Sequence, residues 1–593
     1  MKSKKMKSKK MKSKNTFLVT TAIESTFGNG DHIIYLGEWC KKYSCKNEWS
    51  KRNYVVTEYH WKDRKKIQKD YNYLSELYER TLTSIYIKLN DIHNVDFSKR
   101  YWRIIIGPWL LTYISVLWDR WESIRLAENM CDDVKTIVPD KKEKRSVAGD
   151  YNSSMQLMIN DEWNYLLYCE ILEWKKPLSI VLIKQPFKRS RILKKREPIK
   201  SYLLSLILRI LDKILRSMLF LDSYKVLLHA SYFPLNKVAS LYLRFFQFPR
   251  LHFEFEKKIN FSSVNEVNRS SDKQTNESGG FEGFLSEQIF NDMPKAYLEN
   301  YNVLLKYSKS LPDAELILTA NSHYGNEIFK NWSAGLVDKN SKFIIASHGG
   351  ALISKAVSFG HEESICDKKA VWHVPLDETH VQLSPNKNMK KYNVNKNRNR
   401  VTLVGLEFPR YSYRIQFTPN SSLVLEDFNQ KVNFIKSLKK NSNLNIKIRP
   451  YPNQGWFTKE RYVDIFGEEI ISNNRKLEKD IVQSRIVICS YPQTTFSEAM
   501  HSGVPTILLF MEEYWELDHK FDELVKNMKN AKIIFSDAKE AAGHINSIWD
   551  APEEWWGSQE VVSAREMFFS MCGRTNPNWI DEWSLFFKDE LKK

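Results

Sequence analysis

The stretch Ile486–Phe510, IVICSYPQTTFSEAMHSGVPTILLF, leaves this chain little choice but an α/β fold. Its apolar runs and turn residues predict a buried strand over Ile486–Cys489 and a polar loop over Ser490–Thr495. A short helix over Phe496–His501, a stop at Gly503 and a second buried strand over Thr506–Phe510 follow. The loop delivers Thr494 and Thr495 to a helix N-terminus, where free backbone N–H groups and the helix dipole attract an anion. Glu498 lies one turn further on, and a carboxylate there can hold ribose hydroxyls, as acidic residues do in other nucleotide sites. Strand, phosphate loop, helix, acid, strand suits a nucleotide diphosphate or a nucleotide monophosphate sugar. An ordinary crossover with a well-capped helix would read the same way, because fold does not imply function.

The chain has 593 residues, too many for one ordinary core, and its 42% hydrophobic and 13% aromatic content is globular. Of its net charge of +19, eight charges sit in the repeat MKSKKMKSKKMKSK at residues 1–14, leaving +11 for the rest. That tail reads as disordered, and it lacks the apolar stretch of a secretory signal. The remaining basic charge admits nucleic acid, an anionic membrane face or phosphorylated substrates. No nucleic-acid-binding motif is present, so nucleic acid ranks last. The seven cysteines are scattered; Cys40 and Cys45 form the one close pair, and no second pair completes a zinc site. Free thiols in the cytoplasm are the expectation. Leu203–Phe220 reads as an amphipathic helix whose charges (Arg209, Asp212, Lys213 and Arg216) make a bilayer span costly. The basic run 188–200 precedes it. Together they fit either a core helix beside a solvated loop or contact with anionic lipid at the inner face of the membrane.

Strands are expected at Thr16–Thr21, Ile33–Leu36, Val226–Leu228, Leu316–Thr319, Lys342–Ala346, Val401–Val404, Asn445–Ile448 and Ala531–Ile534, and helices at Asp70–Asn90, Tyr101–Leu126, Asn326–Val337 and Asp427–Lys439. Residues 264–280 read as a polar insertion, and 385–400 as a linker. The alternation implies parallel sheets with right-handed crossovers. The expected architecture is α/β, with two Rossmann-like domains facing a cleft and extra helices in the N-terminal half. An acceptor-side domain would span 16–390 and a donor-binding domain 391–545, with C-terminal helices (546–593) packing back on the N-terminal half.

Three motifs follow predicted strands and could converge on that cleft. In Ser347-His348-Gly349-Gly350 the glycines permit close backbone approach and unusual φ values, and His348 can act as a base toward an acceptor hydroxyl. Downstream, Glu362 and Glu363 could serve as an alternative base or orient His348; the spacing around His361 is not that of a metalloprotease. In Arg449-Pro450-Tyr451-Pro452 the arginine can grip phosphate oxygens and the tyrosine can stack on a base or meet the sugar. Asp480 and Ser484 read as capping a short helix. Glu38, Trp39 and His60, in aromatic-polar clusters suited to sugar rings, read as a cleft edge, as does Gly107-Pro108-Trp109.

The runs TTAIE, YLGEWC, RYWRIIIGPWLL, ASHGG and SYPQTTFSEAMHSGVP together resemble a family of surface-carbohydrate transferases found with polysaccharide and lipopolysaccharide biosynthesis genes. The C-terminal half is also similar to the GT-B glycosyltransferases and, at a distance, to the glycerophosphotransferases of wall polymer synthesis. That resemblance implies His348-Gly349 as the base pair, Thr494, Thr495 and Glu498 as donor positions, and no bound metal or cofactor beyond a nucleotide-sugar substrate. Where those relatives carry a donor-side His-Pro pair, this chain has Arg449-Pro450. The implied function is sugar transfer to a polysaccharide or lipid-linked acceptor in the cytoplasm. The alternatives are transfer of a phosphorylated alcohol from a CDP-linked donor, and a non-enzymatic assembly protein at the membrane.

Overall fold

The computed structural model describes residues 15–130, 133–189, 210, 223–261, 269, 280–354, 358–387, 389–392, 398–439 and 444–593. The lysine tail, nearly all of the basic run and of Leu203–Phe220, and all of the 264–280 insertion except Arg269 and Gly280 lie outside the described residues.

Fifteen strands among the described residues build three five-stranded sheets, paired throughout in parallel. The first contains β1 (Thr16–Val19), β2 (His32–Tyr35), β3 (Tyr54–Val56), β4 (Val134–Pro139) and β5 (Ile180–Gln185) in the order β3-β2-β1-β4-β5. The second contains β6 (Ser223–His229), β7 (Asp313–Thr319), β8 (Lys342–Ala346), β9 (Lys368–Val371) and β10 (His380–Gln382), in the order β10-β9-β8-β7-β6. The third contains β11 (Arg400–Val404), β12 (Asn445–Arg449), β13 (Ile486–Cys489), β14 (Thr506–Leu509) and β15 (Ile534–Phe535), in the order β12-β11-β13-β14-β15. The sequence reading of one sheet per half is therefore corrected: residues 16–390 hold two. The central strands are runs of Ile, Val and Leu because helices cover both faces of a parallel sheet, and IVIC of β13 is buried along its whole length.

A shared core hid the extra sheet. The helix Lys99–Met130 is buried on nearly every side because it packs against the helices Arg64–His93, Asp161–Lys175 and Glu327–Val337, so it serves the first two sheets together. Gly107 and Pro108 do not interrupt it. A Cβ on Gly107 would sit 2.6 Å from His361 Cε1, so the glycine makes room for a buried histidine, and Trp109 is fully buried rather than in a cleft.

The segment after β11 ties the third sheet to the first. Arg410 pairs with Asp161 and donates to the Trp39 carbonyl, Tyr411 Oη donates to Asp161 at 2.6 Å, and Arg120 donates to the Ser412 carbonyl at 2.7 Å. Of the C-terminal helices, Gln559–Met571 stays beside helix Asp522–Asn530, whereas Trp579–Lys592 packs on β7 and helix Leu235–Arg244. Trp583 Nε1 anchors that last helix on the Ser384 carbonyl at 3.0 Å. Among the described residues no helix is long and apolar enough to cross a membrane.

Candidate functional site

The strand order of an open sheet dictates where a crevice forms. In the third sheet the chain reverses direction between β11 and β13, and ligands bind such sheets beyond the carboxyl ends of the strands at that reversal. A cavity of about 500 Å³ opens there, lined by Gly405 after β11, Arg449 at the end of β12, Tyr451 after it, and Tyr491 and Thr495 after β13. The helix beside it runs Thr494–Ser502, two residues longer at its start than its sequence suggested, and ends at Gly503 with φ 80°. No side chain caps its start, and the Thr494 and Thr495 amides have no acceptor among the described residues. Thr495 Oγ1 meets the Tyr491 hydroxyl, and the buried Ser490 Oγ has no partner. An uncapped helix start and a cavity thus meet at Thr495, with the orphaned Ser490 hydroxyl buried in the loop that leads there.

Two donor residues expected from the sequence are otherwise occupied. Arg449 donates to Asp480 Oδ2 at 2.7 Å and to the carbonyls of Asn474 and Arg475 at 2.9 and 3.1 Å, so its guanidinium braces the wall instead of reaching into the cavity. Asp480 is no solvated cap: it is fully buried and also binds Arg400, Ser472 and Asn474. These bonds hold its carboxyl below the usual range against the opposing effect of burial. Glu498 is paired with Lys387 of the linker and is not part of the cavity lining. Tyr451 stands at the cavity with 41% of its surface exposed.

The second sheet brings its own motif to the same edge. His348 follows β8 and has no hydrogen-bond partner among the described residues, and its ring lies 6.3 Å from that of Tyr232. Desolvation by the surrounding protein, the largest effect, lowers its proton affinity below that of an ordinary histidine; Glu362 opposes this, and His323, Arg414 and Lys369 add to it. It is therefore neutral at pH 7 and able to accept a proton. Gly349 packs on the start of helix Thr494–Ser502, where an added Cβ would lie 1.9 Å from Thr494 Oγ1. A Cβ on Gly350 would lie 2.9 Å from Trp372 Cβ. Neither glycine has a positive φ, so lack of bulk is what both positions require, contrary to the expectation of unusual backbone angles. Leu352 N donates to the Pro492 carbonyl at 3.1 Å, fixing this loop against the one before Thr494.

Glu362 and Glu363 lie below that loop without bonding His348. Glu362 accepts from His323 Nε2 at 3.2 Å and Tyr324 Oη at 3.0 Å, and pairs with Lys369 at 2.7 Å. Glu363 shares Lys369 and accepts from His380 Nε2 at 3.1 Å. Burial alone would raise both carboxyls, but the hydrogen bonds and the lysine charge win, taking Glu363 down to about 2 and Glu362 well below its ordinary value. Carboxylates so firmly ionised are poor proton acceptors at neutral pH; of the two, Glu362 contributes to the field around His348. Arg414 escaped the sequence reading. Its Nε donates to Gln416, and its two terminal nitrogens have no hydrogen-bond acceptor among the described residues. Burial disfavours its charge, but Tyr413, Tyr324, Tyr151 and Glu362 outweigh that cost, so it remains a cation beside His348. The signal available was RYSYR at 410–414, arginine and tyrosine interleaved in a stretch with no apolar period.

The proposed N-terminal cleft edge is corrected. Trp39 is 2% exposed, donates to the Thr20 carbonyl at 3.0 Å and packs edge-on against Tyr59. His60 is buried with Nε2 2.9 Å from Asp119 Oδ1. Glu38 N donates to Ser422 Oγ at 3.1 Å, and its carboxylate pairs with Lys41. The crevice beyond the first sheet's reversal point is filled by this packing and by Asp161 with Arg410. Among the described residues no group of three His, Cys, Asp or Glu side chains could hold a metal ion.

No curated protein matches the chain. Among solved structures, the crystal structure of TarM aligns at 13% identity with a TM-score of 0.31, covering 50% of this chain and 60% of that one. A model of the LIC12162 family transferases matches residues 16–587, nearly the whole chain. The chain therefore belongs to the LIC12162 family of transferases.

Proposed function

We propose that this transferase is a GT-B-type glycosyltransferase that moves a sugar from a nucleotide-sugar donor to a hydroxyl of a polysaccharide or lipid-linked acceptor, working in the cytoplasm at the membrane face. The observation that supports the reading is the contact of Gly349, the neighbour of the unbonded His348, with Thr494, whose own neighbour Thr495 lines the cavity at the third sheet's reversal point. The donor phosphates would lie against the free amides of Thr494 and Thr495, with Arg414 as counter-charge and Tyr451 along the nucleoside or sugar. The acceptor oxygen attacks the anomeric carbon, the bond from that carbon to the phosphate oxygen breaks, and His348 takes the hydroxyl proton. A positioned base contributes roughly 10²–10⁴-fold to such a step.

Calorimetry against CMP-, UDP-, GDP- and CDP-linked sugars tests donor binding. One of them is expected to bind, and His348→Ala is expected to retain that affinity while losing transfer by about the factor a base supplies. Turnover at the wild-type rate in that variant would remove His348 from the mechanism. Binding of a CDP-linked alcohol in preference to every sugar donor would move the attack from carbon to phosphorus at the same site.

A further inference from the structure

The second sheet has a cavity of its own, about 780 Å³, beyond the carboxyl end of β7. One wall is Tyr151 and Asn152, at the start of helix Tyr151–Met158; another is the Asn321-Ser322 turn leaving β7; Tyr324 and Phe255 supply ring surface. The volume lies within the range of small-molecule sites.

The charged groups around this cavity are engaged. Asp150 caps its helix through Ser153, Glu327 accepts from Tyr151 N and Tyr297 Oη at 3.0 Å each, and the Lys257 ammonium sits 3.9 Å over the Tyr307 ring. The neutral polar groups are not all spent. The Tyr151 hydroxyl, Asn152 Oδ1, Asn321 Oδ1 and the Ser322 hydroxyl have no hydrogen-bond partner among the described residues, although the two amide nitrogens are bonded, to Gly325 O and Tyr232 Oη. Hydroxyls and amide oxygens beside aromatic faces match a sugar, which offers many O–H groups on its edge and C–H groups on its face.

The same walls reach the proposed base from two directions. Asn321 Nδ2 donates to Tyr232 Oη at 2.9 Å, and the Tyr232 ring faces His348. Tyr324 Oη donates to Glu362, whose charge acts on His348. We propose that this cavity is the acceptor subsite and takes a neutral saccharide, held by Tyr151, Asn152 and Asn321 so that one of its hydroxyls points toward His348. The assignment rests on the glycosyltransferase reading for its role but not for the binding itself.

The test is saturation-transfer NMR on the full chain with maltose, cellobiose, lactose and N,N′-diacetylchitobiose at millimolar concentration and no donor. At least one disaccharide is expected to receive saturation from the protein. Asn152→Ala and Asn321→Ala, both at exposed positions, are each expected to cut that signal at least threefold. Retention of the wild-type melting temperature in each would show that the fold is intact. No transfer to any disaccharide, or equal transfer in both variants, would overturn the proposal. Because no nucleotide is present, a chain that binds a disaccharide here yet no nucleotide sugar by calorimetry would refute the donor reading and leave this site standing.

Discussion

Gly349 and Thr494 touch across the boundary between the second and third sheets, with no room for even a methyl group between them. The strand ends that carry the histidine and the helix start that faces the cavity are set relative to each other by this contact and by the bond from Leu352 N to the Pro492 carbonyl.

Gly349→Ala is expected to lower transfer on the order of 10²-fold, the scale on which small displacements of reacting groups cost rate, with a minor change in melting temperature. The added Cβ would lie 1.9 Å from Thr494 Oγ1 but 3.1 Å from Thr494 Cβ. Removing the hydroxyl and methyl in the double variant Gly349→Ala/Thr494→Ala should therefore recover part of the rate. Wild-type turnover in the single variant would show that the contact has no part in catalysis.

Asp480 holds Arg400 and Arg449 from a fully buried position. Asp480→Ala would leave two guanidinium groups facing each other without their counter-charge, and breaking a buried pair costs about 3–5 kcal/mol. The lower end applies, because Arg449 keeps 25% of its side chain in water. Urea unfolding measures the loss, and calorimetry should show weaker donor binding as the Arg449–Tyr451 wall loosens. An unchanged urea midpoint would mean the two arginines find other partners.

Burial pushes both His229 and His361 down to about 3 in the folded protein. The unfolded chain protonates these rings near pH 6.5, so below that pH protons bind the unfolded state in preference. Stability should be complete above pH 6.5 and fall toward pH 3, by up to about 1.4 kcal/mol per pH unit for each ring. Glu363 adds a loss of the same sign from its ordinary value of 4.5 down to about 2. Urea midpoints across pH 4–8 check this, and His361→Gln should flatten the slope. A midpoint constant from pH 7 to pH 4 would contradict the buried, neutral state.

What could be read from the sequence was what local chemistry decides. The bounds of β13 coincide with its apolar run, because a strand covered on both faces has no polar positions to blur its ends, and β8 was read to its observed bounds Lys342–Ala346. The glycine that ends helix Thr494–Ser502 was similarly visible, whereas the helix starts two residues before the expected Phe496. Long-range pairing was not. An arginine at a strand end looks the same whether it meets a ligand or a buried aspartate 31 positions away, as Arg449 does. Trp39 and His60 combine ring surface with polar atoms, which serves a sugar site and a core with satisfied hydrogen bonds equally well, and only Thr20 and Asp119 reveal which applies. The division of residues 16–390 into two sheets was missed because the helix that joins the first two sheets shows no polar face to mark a boundary.

The Arg410–Asp161 pair joins positions 249 residues apart. A ribosome adding 5–20 residues per second needs about 12–50 s to cover that distance. During that interval the first sheet's strands and helices have all been made, yet Asp161 and the Trp39 carbonyl still lack the guanidinium that satisfies them. Until the segment after β11 leaves the exit tunnel, the nascent N-terminal region therefore lacks the Arg410 contacts to Asp161 and the Trp39 carbonyl that complete it.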